Sequence, residues 1–88
     1  MKIEYRKKFL KELSKIPSPI RRNIEKFAFE YVPSLESIFN SDKIEKLKGY
    51  DRYYKSRFGD YRIGMQLKDE KFVFERALHR KEIYRYFP

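Results

Sequence analysis

The chain has 88 residues, 41% of them hydrophobic and 18% aromatic, which is enough for one domain with a single ring-rich core and too little for two. It has no cysteine and one histidine, which excludes disulfides, thiolate metal sites and His-rich metal clusters, and no metal or cofactor is expected. No apolar run approaches a membrane span and the first residues lack a signal peptide's apolar segment, so the sequence predicts a soluble cytoplasmic protein.

The chain is strongly basic, with a net charge of +9 that leans toward its second half. Residues 1–42 carry nine Lys and Arg against six acids, and residues 43–88 carry thirteen against seven. Such a field attracts polyanions through counterion release. A merely solvated surface and an acidic protein partner are alternatives, but interleaving of the charges with Tyr and Phe favours nucleic acid.

The first third of the chain predicts one strand and two helices. Residues 2–5 alternate like a short strand, at the edge of a sheet or second in it, and residues 6–16 repeat apolar side chains at helical spacing. Pro17 ends this helix, Ser18 is a good N-cap for the next, and Pro33 is expected to stop that second helix near Tyr31. The short connection predicts an antiparallel hairpin. The solvent-facing side of the first helix is predicted to carry Lys7, Lys8, Lys11, Glu12 and Lys15.

The remainder predicts a loop, three strands and a closing segment. Residues 33–43 are polar and are expected to hold Leu35, Ile38 and Phe39 against the core. The fold class is α+β in the order βααβββ: a helical hairpin on one face of an antiparallel-rich sheet, within a single domain over residues 1–88. The predicted strands are Arg52–Phe58, Tyr61–Leu67 and Phe72–Leu78, and residues 79–87 form a short helix or an extended tail.

Strand alternation places basic and aromatic side chains on one surface of the predicted sheet. Tyr53, Lys55 and Arg57 should project together, as should Arg62, Gly64 and Gln66. The helical hairpin covers the other surface, so this one is expected to be partly open.

Three short motifs follow one another in this half of the chain: Leu47-Lys48-Gly49, the run YKSRFGDYRI at residues 54–63, and HRKEIY at residues 79–84. Their order and spacing, with a helical hairpin before them, resemble the RelE/ParE superfamily of toxins from toxin–antitoxin systems over nearly the whole chain. Two positions depart from the pattern, since Ser56 stands where an apolar core residue is expected and Leu78 where relatives often have glycine.

The resemblance implies a small toxin that a RelB-like antitoxin wraps and neutralises in a hetero-oligomer. For the RelE branch it implies an endoribonuclease that cleaves mRNA in the ribosomal A site without a metal, so that mRNA, the ribosome and its 16S rRNA become partners. The ParE branch instead poisons DNA gyrase. A non-catalytic RNA-binding module is the third reading.

RNA cleavage of this kind uses the adjacent 2′-hydroxyl as nucleophile. It needs a base for the 2′ proton, a cation on the phosphorane-like transition state, and a proton donor for the 5′ oxygen. By resemblance, Arg62 matches the transition-state arginine, Arg80 a second catalytic arginine, and Tyr84 the tyrosine that orients the nucleotide or stacks on a base. The structural alternatives are a surface strand arginine for Arg62 and a core ring for Tyr84.

Further candidates surround these residues. Lys55 and Arg57 match basic strand residues that bind phosphate, while Tyr53 replaces a second family lysine and leaves the base unidentified. His79 could act as acid or base, although a lone histidine is more often structural. Glu45 is a weaker candidate base whose alternative is an exposed loop glutamate. The predicted RNA-binding surface comprises Arg57, Lys48, Tyr53, Arg52 and Lys81.

Overall fold

The computed structural model describes all 88 residues, arranged as a five-stranded sheet with helices on both faces. Lys2–Tyr5 forms β1, Lys7–Leu13 forms α1, and Ile20–Lys26 forms α2, which continues through a π-helical segment at Phe27–Tyr31 into α3 at Val32–Ser34. After a 3-10 turn at Ile38–Asn40 come β2 (Glu45–Lys46), β3 (Tyr53–Phe58), β4 (Tyr61–Lys68), β5 (Lys71–His79) and α4 (Arg80–Tyr86).

The sheet order is β1-β5-β4-β3-β2, with β1 parallel to β5 and every other pair antiparallel. The predicted α+β class is therefore confirmed, and β1 lies at an edge. The short β2 was not predicted. The closing segment is a helix rather than an extended tail.

The main core lies between the helical hairpin and one face of the sheet. Phe9 of α1 and Ile24 of α2 are fully buried against Phe72 and Phe74 of β5. A ring cluster dominates it, as the aromatic content predicted, with Phe9 and Phe74 centroids 5.2 Å apart.

The helical hairpin differs from its prediction at both ends. Pro19, not Ser18, occupies the N-cap position of α2, and no side chain caps it. Pro33 does not stop the helix, which runs on to Ser34. Proline removes an N–H and clashes with the carbonyl one turn earlier, and here the preceding turn is widened, because Val32 N–H bonds to the Phe27 carbonyl five residues back.

Two loop and surface predictions need correction. Ile38 is buried and Leu35 half-buried, but Phe39 is 75% exposed, because the 3-10 turn that buries Ile38 directs its neighbour outward. Glu12 does not lie on a solvent-facing side, since its side chain is only 16% exposed in an ion pair with Arg76. Ser56, where an apolar residue is expected, is buried and donates a hydrogen bond to the Lys43 carbonyl at 2.7 Å.

A β-bulge interrupts the pairing of β4 with β5. Gly64 pairs with Arg76 and Met65 with Phe74, which leaves Glu75 without a partner. The extra residue changes the phase of β5, so that Phe74 and Ala77 both reach the main core although they are three residues apart.

The second face of the sheet carries a smaller apolar cluster beneath α4. Ile83 and Phe87 pack there with Leu47, and Tyr53 and Leu78 complete the cluster. Gly64 makes this docking possible, because a Cβ at that position would lie 2.8 Å from the Phe87 ring. No helix in the chain is both long enough and apolar enough to cross a membrane.

Candidate functional site

The face of the sheet on which Lys55, Arg57 and Arg62 lie is called the basic face here. Cross-strand register places Arg57 beside Arg62 and Lys55 beside Gly64. Glu45 of β2 pairs with Lys55 on the other side and is the acidic member of this group. Lys55, Arg57 and Arg62 therefore lie on one face, and their roles in a site stay predictions.

Lys55 meets Tyr84 at the boundary between the basic face and α4. Its Nζ donates to the Tyr84 Oη at 2.7 Å and lies 5.2 Å from the centre of the ring. Tyr84 is 60% exposed, so it is not a core ring, and the buried apolar side chains at this place are Ile83 and Phe87. A phenol and an ammonium are thus presented together to solvent.

Arg57 is bound by Glu45. Its Nε and a terminal nitrogen donate to the same carboxylate oxygen at 3.1 and 2.6 Å. This hydrogen bond is the main reason that the pKa of Glu45 lies below its ordinary value, with a further contribution from the positive charges of Arg57, Lys55 and Arg62. The same bond raises the pKa of Arg57.

The turn between β3 and β4 holds both candidate catalytic arginines. Arg62 donates to the carbonyls of Gly59 and Tyr61 at 2.8 and 3.0 Å. Arg80 forms an ion pair with the Asp60 carboxylate at 3.5 Å, and its backbone N–H donates to the Asp60 carbonyl. Gly59 adopts a φ of +59°, which glycine tolerates best. The Gly-Asp pair of the motif therefore places the two guanidinium groups at the same end of the sheet.

His79 has a structural position. Its Nδ1 accepts from the Lys81 N–H at 3.1 Å, so the side chain caps α4 at its N-terminus. Its ring also packs edge-on against Tyr61, with centroids 5.5 Å apart. These contacts account for the residue without assigning it a proton-transfer step.

A depression of about 300 Å³ lies beside Tyr84, and Lys48 is the one remaining candidate that lines it. Lys48 and Lys55 line it together with Tyr50, which sequence reasoning missed although it directly follows the Leu47-Lys48-Gly49 motif. Tyr53 is half-buried and packs edge-on against Phe87 at 5.7 Å, so it supports α4 more than it offers a free face. Arg52 and Lys81 are exposed and belong to no ion pair.

A larger depression of about 770 Å³ lies between the helices and the outer edge of β3, where Phe27, Tyr31 and Phe58 contribute its apolar surface. It shares only Arg57 and Glu45 with the basic face. The Lys55–Tyr84 pair lies at the smaller depression, which is therefore the better candidate site. No three His, Cys, Asp or Glu side chains come together as metal ligands would.

The sheet thus has a helical hairpin on one face, and its second face carries strand cations beside a tyrosine-bearing helix. The family model described as the ParE toxin of type II toxin-antitoxin system, parDE, matches residues 3–84, and the chain belongs to this family. The predicted superfamily is thus confirmed.

Several proteins to which the chain is similar carry RelE names. Toxin RelE3 of Methanocaldococcus jannaschii is 43% identical over 90 residues, which cover all of both chains. A chain of the RelB-RelE antitoxin-toxin complex from Methanococcus jannaschii is 40% identical, with a TM-score of 0.75 over 97% of this chain and 99% of that one. The isolated E. coli RelE toxin shares the fold, with a TM-score of 0.66 at 21% identity over 98% of both chains. The chain is a RelE-like toxin of the type II class.

Proposed function

We propose that this toxin is an endoribonuclease that acts in the cytoplasm. It would cleave mRNA in the ribosomal A site while it contacts 16S rRNA. The observation that carries the proposal is the exposed Lys55–Tyr84 pair on a face shared with Arg57 and Arg62. A surface of this kind can hold a phosphodiester by its charges and a base by an aromatic ring.

The reaction would begin with attack of a 2′-hydroxyl on the adjacent phosphorus. The bond from O2′ to phosphorus forms, the bond to O5′ breaks, and the products are a 2′,3′-cyclic phosphate and a 5′-hydroxyl. Arg62 would stabilise the charge of the transition state, since guanidinium is permanently charged and binds two oxygens at once. Arg80, at the same turn, would bind the phosphate from the α4 side.

Proton transfer is assigned to polar side chains of the basic face and of α4. Tyr84 carries a hydroxyl whose oxygen already accepts from Lys55, which leaves its proton free for the departing O5′. Lys55 would also favour loss of the 2′ proton through its charge. Glu45 is the available carboxylate, but its lowered pKa makes it a weak base, and Arg57 occupies one of its oxygens.

The neutralising partner would be a RelB-like antitoxin forming a hetero-oligomer with this chain. The relative from Methanococcus jannaschii was solved as a RelB-RelE complex. The net charge of +9 fits an acidic partner.

Primer extension on a cellular message after induction tests the proposal. Wild type should give cuts within codons, whereas Arg62→Ala and Arg80→Ala should each lower cleavage by about 10²–10³-fold, the usual loss for a transition-state donor. Arg22→Ala is the matched control, because Arg22 is exposed on α2 and belongs to no ion pair. It should cleave like wild type.

Other outcomes would assign a different function. Intact messages during translation arrest would refute the nuclease. DNA damage with continuing translation would favour a gyrase poison, which is the activity that a resemblance to the ParE branch implies. Salt-sensitive RNA binding without toxicity would leave a binding module.

A further inference from the structure

Arg76 lies at a junction of three elements on the far side of α4 from the basic residues. Its guanidinium donates to both oxygens of Glu12, with the shortest contact 2.6 Å. It also donates to the Tyr86 carbonyl at 3.2 Å and lies 5.4 Å from the centre of the Tyr86 ring. One side chain of β5 thus joins α1 to the end of α4.

The β-bulge directs Arg76 to this position. Regular alternation from Phe74 would turn Arg76 into the main core, together with every second residue of β5. The unpaired Glu75 changes the phase, so Arg76 pairs with Gly64 and projects to the side where Phe87 packs. The bulge thereby re-aims a cation toward α4.

Glu12 holds Arg76 from an open edge of the sheet. Pairing of β1 with β5 covers residues 71–74 only, so the later part of β5 lacks a strand on that side. Glu12 of α1 occupies the gap, where its carboxylate accepts from the Ala77 N–H at 3.0 Å as well as from Arg76. Both side chains of the ion pair are about 15% exposed, and the bond to Glu12 raises the pKa of Arg76.

The other contacts that hold α4 are the small apolar cluster, the N-terminal cap and the two contacts of Arg80 with Asp60, and none of these involves the Tyr86 carbonyl. Tyr84 belongs to this helix, and its contact with Lys55 depends on where the helix lies. We propose that Arg76, held by Glu12, is a positioning residue that fixes the C-terminal end of α4 and so sets Tyr84 against Lys55. The role of Tyr84 in cleavage rests on the proposed function, but its placement does not.

The test uses NMR on the full chain and needs no cleavage. The Tyr84 ring should shift the Lys55 side-chain resonances, and Tyr84→Ala gives their value without the ring. Arg76→Met, which keeps an unbranched side chain and removes the guanidinium group, should move these resonances at least halfway to that value. Amide exchange of Phe87, whose N–H bonds to the Ile83 carbonyl, should rise at least about tenfold while β3 and β4 amides stay unchanged.

Glu12→Gln is measured in parallel, because the amide retains an acceptor for Ala77 and loses the charge that holds Arg76. Glu12→Gln should shift the Lys55 resonances in the same direction as Arg76→Met, by a smaller amount. If Arg76→Met does not fold, the result with Glu12→Gln tests the proposal in its place. Arg6→Met is the control, since the Arg6 side chain forms an exposed ion pair with Glu4 and none with a residue of α4.

Unchanged Lys55 resonances in Arg76→Met would overturn the proposal, and so would equal acceleration of exchange throughout the sheet. A cleavage assay adds a double-mutant cycle. Arg76→Met should lower the cleavage rate when it is made in the wild-type protein and should cause no further loss when it is made in Tyr84→Ala. Additive losses would contradict action through Tyr84. A protein that shows the NMR effects and cuts no RNA would refute the nuclease and leave the positioning role standing.

Discussion

Most cations on the basic face have a partner within the protein, and the partner decides how available each one is. Arg62 is anchored by backbone carbonyls that carry no full charge, so its positive charge is not neutralised. Arg57 faces a carboxylate at 2.6 Å, which offsets much of its field. Among the strand arginines, Arg62 is therefore the stronger candidate for a developing anion.

The Glu45–Arg57 pair predicts a pH-dependent difference in stability. Both side chains are more than a third exposed, so Glu45→Gln should lower the free energy of unfolding at pH 7 by only about 0.2–1 kcal/mol. The pKa of Glu45 in the folded protein lies below its ordinary value of 4.5, so its contribution is present above that value and is lost as the pH falls through the lowered pKa.

Urea unfolding of wild type and Glu45→Gln, from neutral pH into acid, checks this. The two curves should converge in acid. Glu36→Gln serves as control, because Glu36 is exposed and unpaired. A difference that persists unchanged in acid would show that the ion pair is not its source.

His79 gives a second prediction at the level of single residues. If its role is to cap α4, His79→Asn should retain cleavage, because asparagine is a good N-cap, while His79→Ala should destabilise the protein by about 0.5–2 kcal/mol. Thermal unfolding and primer extension measure the two effects separately. Loss of cleavage in a stably folded Asn variant would assign the imidazole a part in proton transfer.

Among the elements, α4 connects stability with the site, because Arg80 and Tyr84 lie next to Ile83 on its surface and Phe87 directly follows it. Spacings of three and four residues make these side chains neighbours on the helix surface. Arg80 and Tyr84 reach the turn and Lys55, while Ile83 and Phe87 pack in the small cluster.

Gly64→Ala should weaken this docking, because the added Cβ would meet the Phe87 ring at 2.8 Å. Overpacking of this kind lowers the free energy of unfolding by about 1–3 kcal/mol. Limited proteolysis should detect the release of the C-terminal segment, and cleavage of RNA should fall with it. Adding Phe87→Leu makes room for the methyl group and should partly restore the protection of the C-terminal segment and the cleavage of RNA. A Gly64→Ala protein as stable as wild type would contradict the close approach of Gly64 and Phe87.

At the scale of the whole molecule, the net charge predicts a salt-dependent affinity for single-stranded RNA. Each phosphate contact should contribute about −0.7 to the slope of log K against log[salt]. Arg62→Ala should therefore make the slope shallower by about 0.7, and Arg22→Ala should leave it unchanged. Fluorescence anisotropy with 2′-O-methyl RNA, which lacks the nucleophile, measures this without cleavage. Equal changes in both variants would mean that the charge acts diffusely and no defined site is formed.

Much of this protein follows from its sequence, because strand alternation and helical spacing are local properties. The run from Tyr61 to Leu67 alternates cleanly and forms β4, and the Gly59-Asp60 turn appears where the sequence places it. Arg62, Arg80 and Tyr84 were singled out because their motifs resemble those of the RelE/ParE superfamily. Their roles in cleavage stay predictions.

Only the tertiary structure decided the features that depend on residues distant in sequence. Glu12 looks like a solvent-facing helix residue until Arg76, 64 residues away, is seen beside it. Alternation in β5 gives no sign of the bulge at Glu75 that turns Arg76 toward α4. Local pattern determines which elements form and which face of each is apolar. The ion pairs, caps and close approaches that position α4 arise when those elements meet. Their energies depend on burial, and a segment becomes buried only when it packs against the others.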